Sequence, residues 1–491
     1  MVQREHFGGG AGVAEAGHHV VTASAAVRLS EVLAGLSFAL DLTEGQRPGH
    51  SVRSCAIGMR LAEEIGLPQE LRSPLFYALL MKDLGCSSNA ARFAALFGSD
   101  DHAVKATLKL SNWSDAAESF RFVSKAVAPG QSFLRRTGQM LALLSRGLEG
   151  AREVVRTRCE RGADIAGTLG FTPHTVEAIR ALDEHWDGRG QPYQLKRDQI
   201  PMLGRILGIA QTVEVFWSTY GFDAAYAMAA VRRGTWFDPD LVSALESIKG
   251  DVEFWDRLRL GHTLGEVAAY EPVDEAIVAD DARLDLVAEA FARVIDAKSP
   301  WTYSHSTGVA RIATQIAGHL GFSTPEVRDL RRAALLHDLG KLGVSNRILD
   351  KPGKLTDAEF AAMRRHTEHT QAILERVGCF RHFASEAAAH HERLDGSGYH
   401  RGLRGDSLAK TTRILCVSDI CDALLTSRPY RPGLPADRVL DVMKRDVGLA
   451  LDPDCFAALR VLLTTTNLAP EAVPPAVQLV PALAEDYIQA A

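Results

Sequence analysis

Apolar side chains return every three to four positions along most of this 491-residue chain, and alternation with a period of two is scarce, so the pattern predicts an all-α protein. Two stretches carry the signal clearly. From Val309 to Leu320 and from Ser323 to Leu336, Ile, Val, Leu and Ala recur at helical spacing, and the second stretch opens with Ser323 and Thr324 ahead of Pro325, a helix start. The pattern fades at both ends. Residues 1–25, with Gly8 to Gly10 and little apolar content, read as a disordered leader, and the Ala/Pro-rich stretch after Leu468 is weakly specified, leaving 476–491 as a tail.

The helical pattern also repeats. His50 precedes Lys82-Asp83-Leu84-Gly85 by 32 residues, as His305 precedes His337-Asp338-Leu339-Gly340. Glu184-His185-Trp186-Asp187-Gly188-Arg189-Gly190 matches Glu392-Arg393-Leu394-Asp395-Gly396-Ser397-Gly398, and Arg205-Ile206-Leu207 matches Arg413-Ile414-Leu415. The offset changes from 255 to 208, so the first copy carries about 47 additional residues between Lys82 and Arg158. The expected organisation is a first helical domain over 26–270, with a helical insertion near 90–145, and a second over 282–475.

Composition narrows the function classes. With 46% hydrophobic residues, a chain this long supports two cores. A formal net charge of -6 offers no general attraction for polyanions, so neither a DNA or RNA polymer nor a membrane surface is expected as partner. Seven scattered cysteines without a C-x-x-C pair fit reduced thiols, and no uninterrupted apolar run suggests a membrane span. These features place the chain in the cytoplasm, with homo-oligomers an open option.

Nine of the 17 histidines fall between His305 and His400, interspersed with aspartates, and imidazole with carboxylate suits a transition-metal site. Projection onto the first copy is selective. His305 and Asp338 become His50 and Asp83, but His337, His366, His390, His391 and Asp419 become Lys82, Arg158, Leu182, Asp183 and Gln211. Lysine and arginine do not ligate metals and leucine has no donor, so one fold is kept while one site is lost. His319, His369, His382 and His400 read as ordinary core or surface residues.

His337-Asp338-Leu339-Gly340-Lys341, His390-His391-Glu392-Arg393-Leu394-Asp395-Gly396-Ser397-Gly398-Tyr399, Asp419-Ile420-Cys421-Asp422-Ala423-Leu424 and Arg428-Pro429-Tyr430-Arg431 resemble the motifs of HD-GYP phosphohydrolases over roughly Ala282 to Leu463. The resemblance implies tandem HD-superfamily helical domains, the second catalytic and the first degenerate. It implies a metal-dependent phosphodiesterase for cyclic dinucleotides, with cyclic di-GMP cleaved to the linear dinucleotide as the leading expectation. A phosphohydrolase of another nucleotide, such as cyclic GMP-AMP, and a non-catalytic cyclic-dinucleotide sensor are the alternatives.

The same resemblance implies site residues. His305, His337, Asp338 and Asp419 would hold one divalent ion and His366, His390 and His391 a second, with Asp338 as bridge. Iron or manganese is favoured over zinc. Lys341 would face the phosphate, one helical turn beyond His337, while Tyr399, Arg428 and Arg431 would contact substrate. Two positions depart from the pattern. His400 stands where many members have proline, loosening the loop's fixed backbone angle, and Trp301 stands where some relatives place a glutamate ligand for a third ion, so two ions and a linear product are expected.

Overall fold

The computed structural model describes residues 27–113, 115–260, 267–302, 304–427 and 432–465, so the expected leader and tail lie outside the described residues. Helices dominate, and extended pairing among the described residues is limited to isolated bridges such as Arg28 with Val278. At that bridge the Leu29 N–H donates to Ile277 O at 2.8 Å and the Ala279 N–H to Val27 O at 2.8 Å. The segment joining the two halves therefore folds back on the start of the described chain.

Each half builds the same local packing. In the second, the helix His305–His319 packs against Thr324–Leu336 and Lys410–Leu425; in the first, His50–Glu64 packs against Gln69–Met81 and Met202–Tyr220. Single contacts recur at the offset positions. Asp296 accepts from the Ser306 hydroxyl at 2.7 Å, and Asp41 from the Ser51 hydroxyl at 2.8 Å. Glu392 accepts from the backbone N–H groups of Arg401, Gly402 and Leu403, as Glu184 does from those of Tyr193 and Leu195, holding a loop in each half. The peptide bonds Tyr399–His400 and Gln191–Pro192, at matching positions of those loops, are both cis.

The halves share one apolar core, running from Leu29 to Leu463. The first helix of each half crosses to the other: Leu29–Thr43 lies on the turn Leu339–Gly343 and the helix Asp357–Leu374, and Asp281–Asp296 lies on Cys86–Asn89 and Phe133–Thr168. A separate small cluster, including Phe93, Phe97, Val104 and Phe122, belongs to the additional helices of the first half. Among the described residues no helix is long and apolar enough to cross a membrane.

Candidate functional site

The seven expected donors come from five separate stretches of the chain. His305 opens the helix His305–His319, His337 caps the C-terminus of Thr324–Leu336, and Asp338 starts the turn Leu339–Gly343. His366 lies in Asp357–Leu374, His390 and His391 follow Arg381–Ala388, and Asp419 lies in Lys410–Leu425. Folding brings them together around Asp338. Its Oδ2 lies 3.6 Å from His305 Nε2 and 3.3 Å from His337 Nε2, while its Oδ1 lies 3.6 Å from both His366 Nε2 and His390 Nε2. Asp419 approaches His305 Nε2 to 3.2 Å with one oxygen and His391 Nδ1 to 3.8 Å with the other.

The outer nitrogens of the imidazoles are committed elsewhere. Nδ1 of His337, His366 and His390 each donates to the carbonyl three residues earlier, Ala334, Met363 and Ala387, at 2.7 Å. His305 Nδ1 donates to Asp422 at 2.7 Å. In the three carbonyl-bonded rings such a bond fixes the tautomer that leaves the Nε2 lone pair facing inward. His366 Nε2 and His390 Nε2 then face each other at 3.2 Å as two acceptors, and His337 Nε2 and Asp338 Oδ1 are buried without a hydrogen-bond partner. Facing acceptors repel unless a cation lies against both, so this donor set fits divalent metal, and three overlapping groups could hold an ion: His305, His337 and Asp338; His337, His390 and Asp419; and His366, His390 and His391.

Ionisation follows position. Burial pulls His366 down to about 3 and also lowers His390 and His391, keeping these imidazoles neutral, as ligation requires. Burial would lower His305 too, but Asp419 and Asp422 outweigh it and hold the imidazolium up to about 10. For Asp338, burial favours the acid, yet the neighbouring His337 and Lys341 hold it ionised well below the usual carboxylate range.

The expected substrate residues are only partly in view. Lys341 sits in the 3-10 turn, not on a continued α-helix, because the helix ends at Leu336; its Nζ lies 2.5 Å from Asp338 Oδ2. The Tyr399 ring stands 4.8 Å from that of His391, at the rim of the site. Arg428 and Arg431 lie outside the described residues. Two neighbours of Tyr399 escaped sequence reasoning: the Arg364 guanidinium over its ring at 4.7 Å and Phe360, edge-on at 6.1 Å. Their i, i+4 spacing two residues ahead of His366 was the available signal. Asp422, the partner of His305, stands one turn beyond Asp419 in a motif whose first aspartate alone drew attention.

In the first half the equivalent position is closed by charge. Lys82 pairs with Asp83, and Lys109 from the additional helix Asp101–Leu110 reaches Asp83 at 3.3 Å and Glu44 at 3.0 Å. Glu44, Asp83 and Cys86 do cluster, but Lys82, Lys105 and Lys109 balance the carboxylates, and burial holds Cys86 as the thiol. Arg158, in place of a histidine, pairs with Asp183 at 3.1 Å.

The chain resembles known proteins along most of its length. The HD domain family matches residues 147–241 and 289–455, one stretch in each half. The 3'3'-cGAMP-specific phosphodiesterase 3 of Vibrio cholerae serotype O1 is 42% identical over 443 residues, covering 90% of this chain and 95% of that protein. The cyclic di-GMP phosphodiesterase response regulator RpfG of Xanthomonas campestris is 38% identical over 172 residues, or 34% of this chain and 45% of its own length. A crystal structure of a cyclic GMP-AMP specific phosphodiesterase from V. cholerae, V-cGAP3, aligns with a TM-score of 0.62 at 38% identity, covering 90% of this chain and 99% of that one. The chain belongs to the HD domain family and, within it, to the HD-GYP phosphodiesterases.

Proposed function

We propose that the second half opens the ring of a cyclic dinucleotide, with 3'3'-cyclic GMP-AMP as the preferred substrate, and that the first half is a degenerate copy of the same domain. The observation that carries the reading is the carboxylate of Asp338, whose two oxygens face two different pairs of imidazoles. Sequence motifs alone favoured cyclic di-GMP; similarity to a 3'3'-cGAMP-specific enzyme along nine-tenths of the chain ranks the mixed ring first.

His305, His337, Asp338 and Asp419 would hold one divalent ion and His366, His390 and His391 another, with iron or manganese as the favoured metals. Such a pair supplies Lewis acidity for activating water and neutralising charge at phosphorus. Lys341, whose ammonium already lies against Asp338, adds a cation at the same point, suited to a phosphate oxygen. Tyr399, with Arg364 and Phe360 behind it, forms a ring surface on which a purine can stack beside the metal centre. Arg428 and Arg431 are proposed as phosphate contacts on motif grounds.

The test is turnover of 3'3'-cyclic GMP-AMP and cyclic di-GMP by manganese-loaded protein, with products identified and metal counted. The expected outcome is a linear dinucleotide, faster from the mixed ring, with two ions per chain; Asp338→Ala should lose both ions and all turnover. Binding of either ring without cleavage would make the chain a sensor, and an active Asp338→Ala protein would end the bridging assignment.

A further inference from the structure

The helix Asp101–Leu110 belongs to the segment by which the first half exceeds the second, and its two ends serve different halves. Lys105 and Lys109 point into the first half, where they meet Glu44 at 3.5 Å and 3.0 Å. Asp101 points the other way. Its Oδ1 accepts from the Asn346 backbone N–H at 2.8 Å and from the Ser345 hydroxyl at 3.1 Å, and its Oδ2 lies 3.5 Å from the ammonium of Lys298. The side chains of Asp101 and Lys298 are only 0% and 1% exposed, so this polar contact is a built one, completed by the Asn346 amide, which donates to Lys298 O and to Asp350, each at 2.7 Å.

The position on the second half matters more than the bonds themselves. Ser345 and Asn346 follow closely on the turn Leu339–Gly343, and the Val344 N–H closes back on Lys341 O at 3.0 Å. On another side of that turn, Leu42 of the first half stands 3.3 Å from where a Cβ on Gly343 would lie. Thr370 of the second half holds the start of the turn through the Gly340 N–H, whereas the exit at Ser345 and Asn346 takes this carboxylate from the first half. Burial raises the Asp101 carboxyl, but Lys298 and His102 outweigh this and bring it to about 2, so the anchor is a full negative charge at neutral pH.

We propose that Asp101 is a positioning residue for catalysis in the second half, fixing Lys341 and the Asp338 turn through Ser345 and Asn346. The inference rests on the phosphodiesterase reading above. A buried carboxylate that accepts from the backbone N–H just past the turn restricts where the Lys341 ammonium can stand, and small displacements of a charged group near the reacting atoms are costly in rate.

The experiment uses full-length, manganese-loaded protein with 3'3'-cyclic GMP-AMP and cyclic di-GMP as substrates. Asp101→Ala should lower kcat by roughly tenfold or more with KM changed less than about twofold, while metal content stays at the wild-type level. Asp101→Asn, whose amide oxygen still accepts from Asn346 and Ser345, should recover kcat to within about threefold of wild type. Lys109→Met, on the same helix but facing the first half, should leave kcat unchanged. If Asp101→Ala does not fold, Asp101→Glu, which keeps the charge and displaces the acceptor, takes its place with the same fall expected. A kcat within about threefold of wild type for the Ala or Glu variant, or an equal fall for Lys109→Met, overturns the positioning role. Wild-type protein that cleaves neither ring defeats the phosphodiesterase reading itself, whereas an active wild type with an indifferent Asp101 defeats only this inference.

Discussion

Unlike His366, His390 and His391, His305 holds its proton. Its Nδ1 is bonded to Asp422 and its Nε2 faces Asp419, and this pair of carboxylates holds it up to about 10 in the metal-free protein. An ion can take His305 Nε2 only by expelling that proton, so affinity for the ion should climb about tenfold per pH unit between pH 7 and 9 and level off near the imidazolium's own pKa. His366, already neutral above about 3, imposes no such dependence on the other ion. Calorimetric titration of manganese in buffers of different ionisation enthalpy should therefore detect about one released proton per chain at pH 7.5. Asp422→Ala should weaken metal binding about 10- to 100-fold by freeing the ring to turn. Proton release of zero would refute the role assigned to His305. The donors themselves were legible because histidine is scarce, 17 residues in 491, so its spacing stands out. The partners that fix their tautomers were not, since Ala334, Met363 and Ala387 act through backbone carbonyls and carry no signal in the side chain.

At the scale of elements, the site depends on how closely the turn Leu339–Gly343 approaches the helix that carries His366. The Gly340 N–H donates to Thr370 Oγ1 at 2.9 Å, and that hydroxyl donates in turn to His337 O at 2.9 Å. A Cβ on Gly340 would stand 1.9 Å from His366 O, and one on Gly85 would stand 1.9 Å from Arg158 O at the matching crossing. Backbone cannot yield as a flexible side chain does, so Gly340→Ala should cost about 3 kcal/mol of stability and separate His366 from Asp338. Thermal unfolding with metal analysis should find a lower midpoint and a loss of the ion bound by His366. Gly318→Ala is the control, in a helix with nothing within 4 Å of the new Cβ, and should stabilise by about 0.5–1 kcal/mol. The offset between His50 and His305, and between Asp83 and Asp338, was open to reading because both crossings need the same residues at the same spacing. The local form was not: the motif places Lys341 a helical turn past His337, but the α-helix ends at Leu336 and Lys341 lies in a 3-10 turn packed on a distant segment, an approach periodicity cannot report.

For the whole molecule, the repeated pattern and the chain length predict two domains with a core each. The packing argues for tighter dependence. The helix Leu29–Thr43 buries nearly all its apolar residues, and part of that face lies on the turn Leu339–Gly343 and on the helix Asp357–Leu374, just beyond which Val377 Cγ2 would stand 2.6 Å from a Cβ on Gly35. Asp281–Asp296 makes the reciprocal crossing, so each half covers the element on which the other builds its central turn. A shared apolar core of this kind couples unfolding, because separating the halves would expose Leu, Val and Phe side chains that neither can bury alone. The full chain should therefore melt in one calorimetric transition, with calorimetric and van't Hoff enthalpies in agreement, and metal should shift that single transition upward. Two resolved transitions, only one of them moved by manganese, would mean that the halves are independent and that the turn Leu339–Gly343 does not need its neighbour. The isolated second half should correspondingly bind manganese more weakly than the full chain, since the turn bearing Asp338 has lost the helix against which it rests.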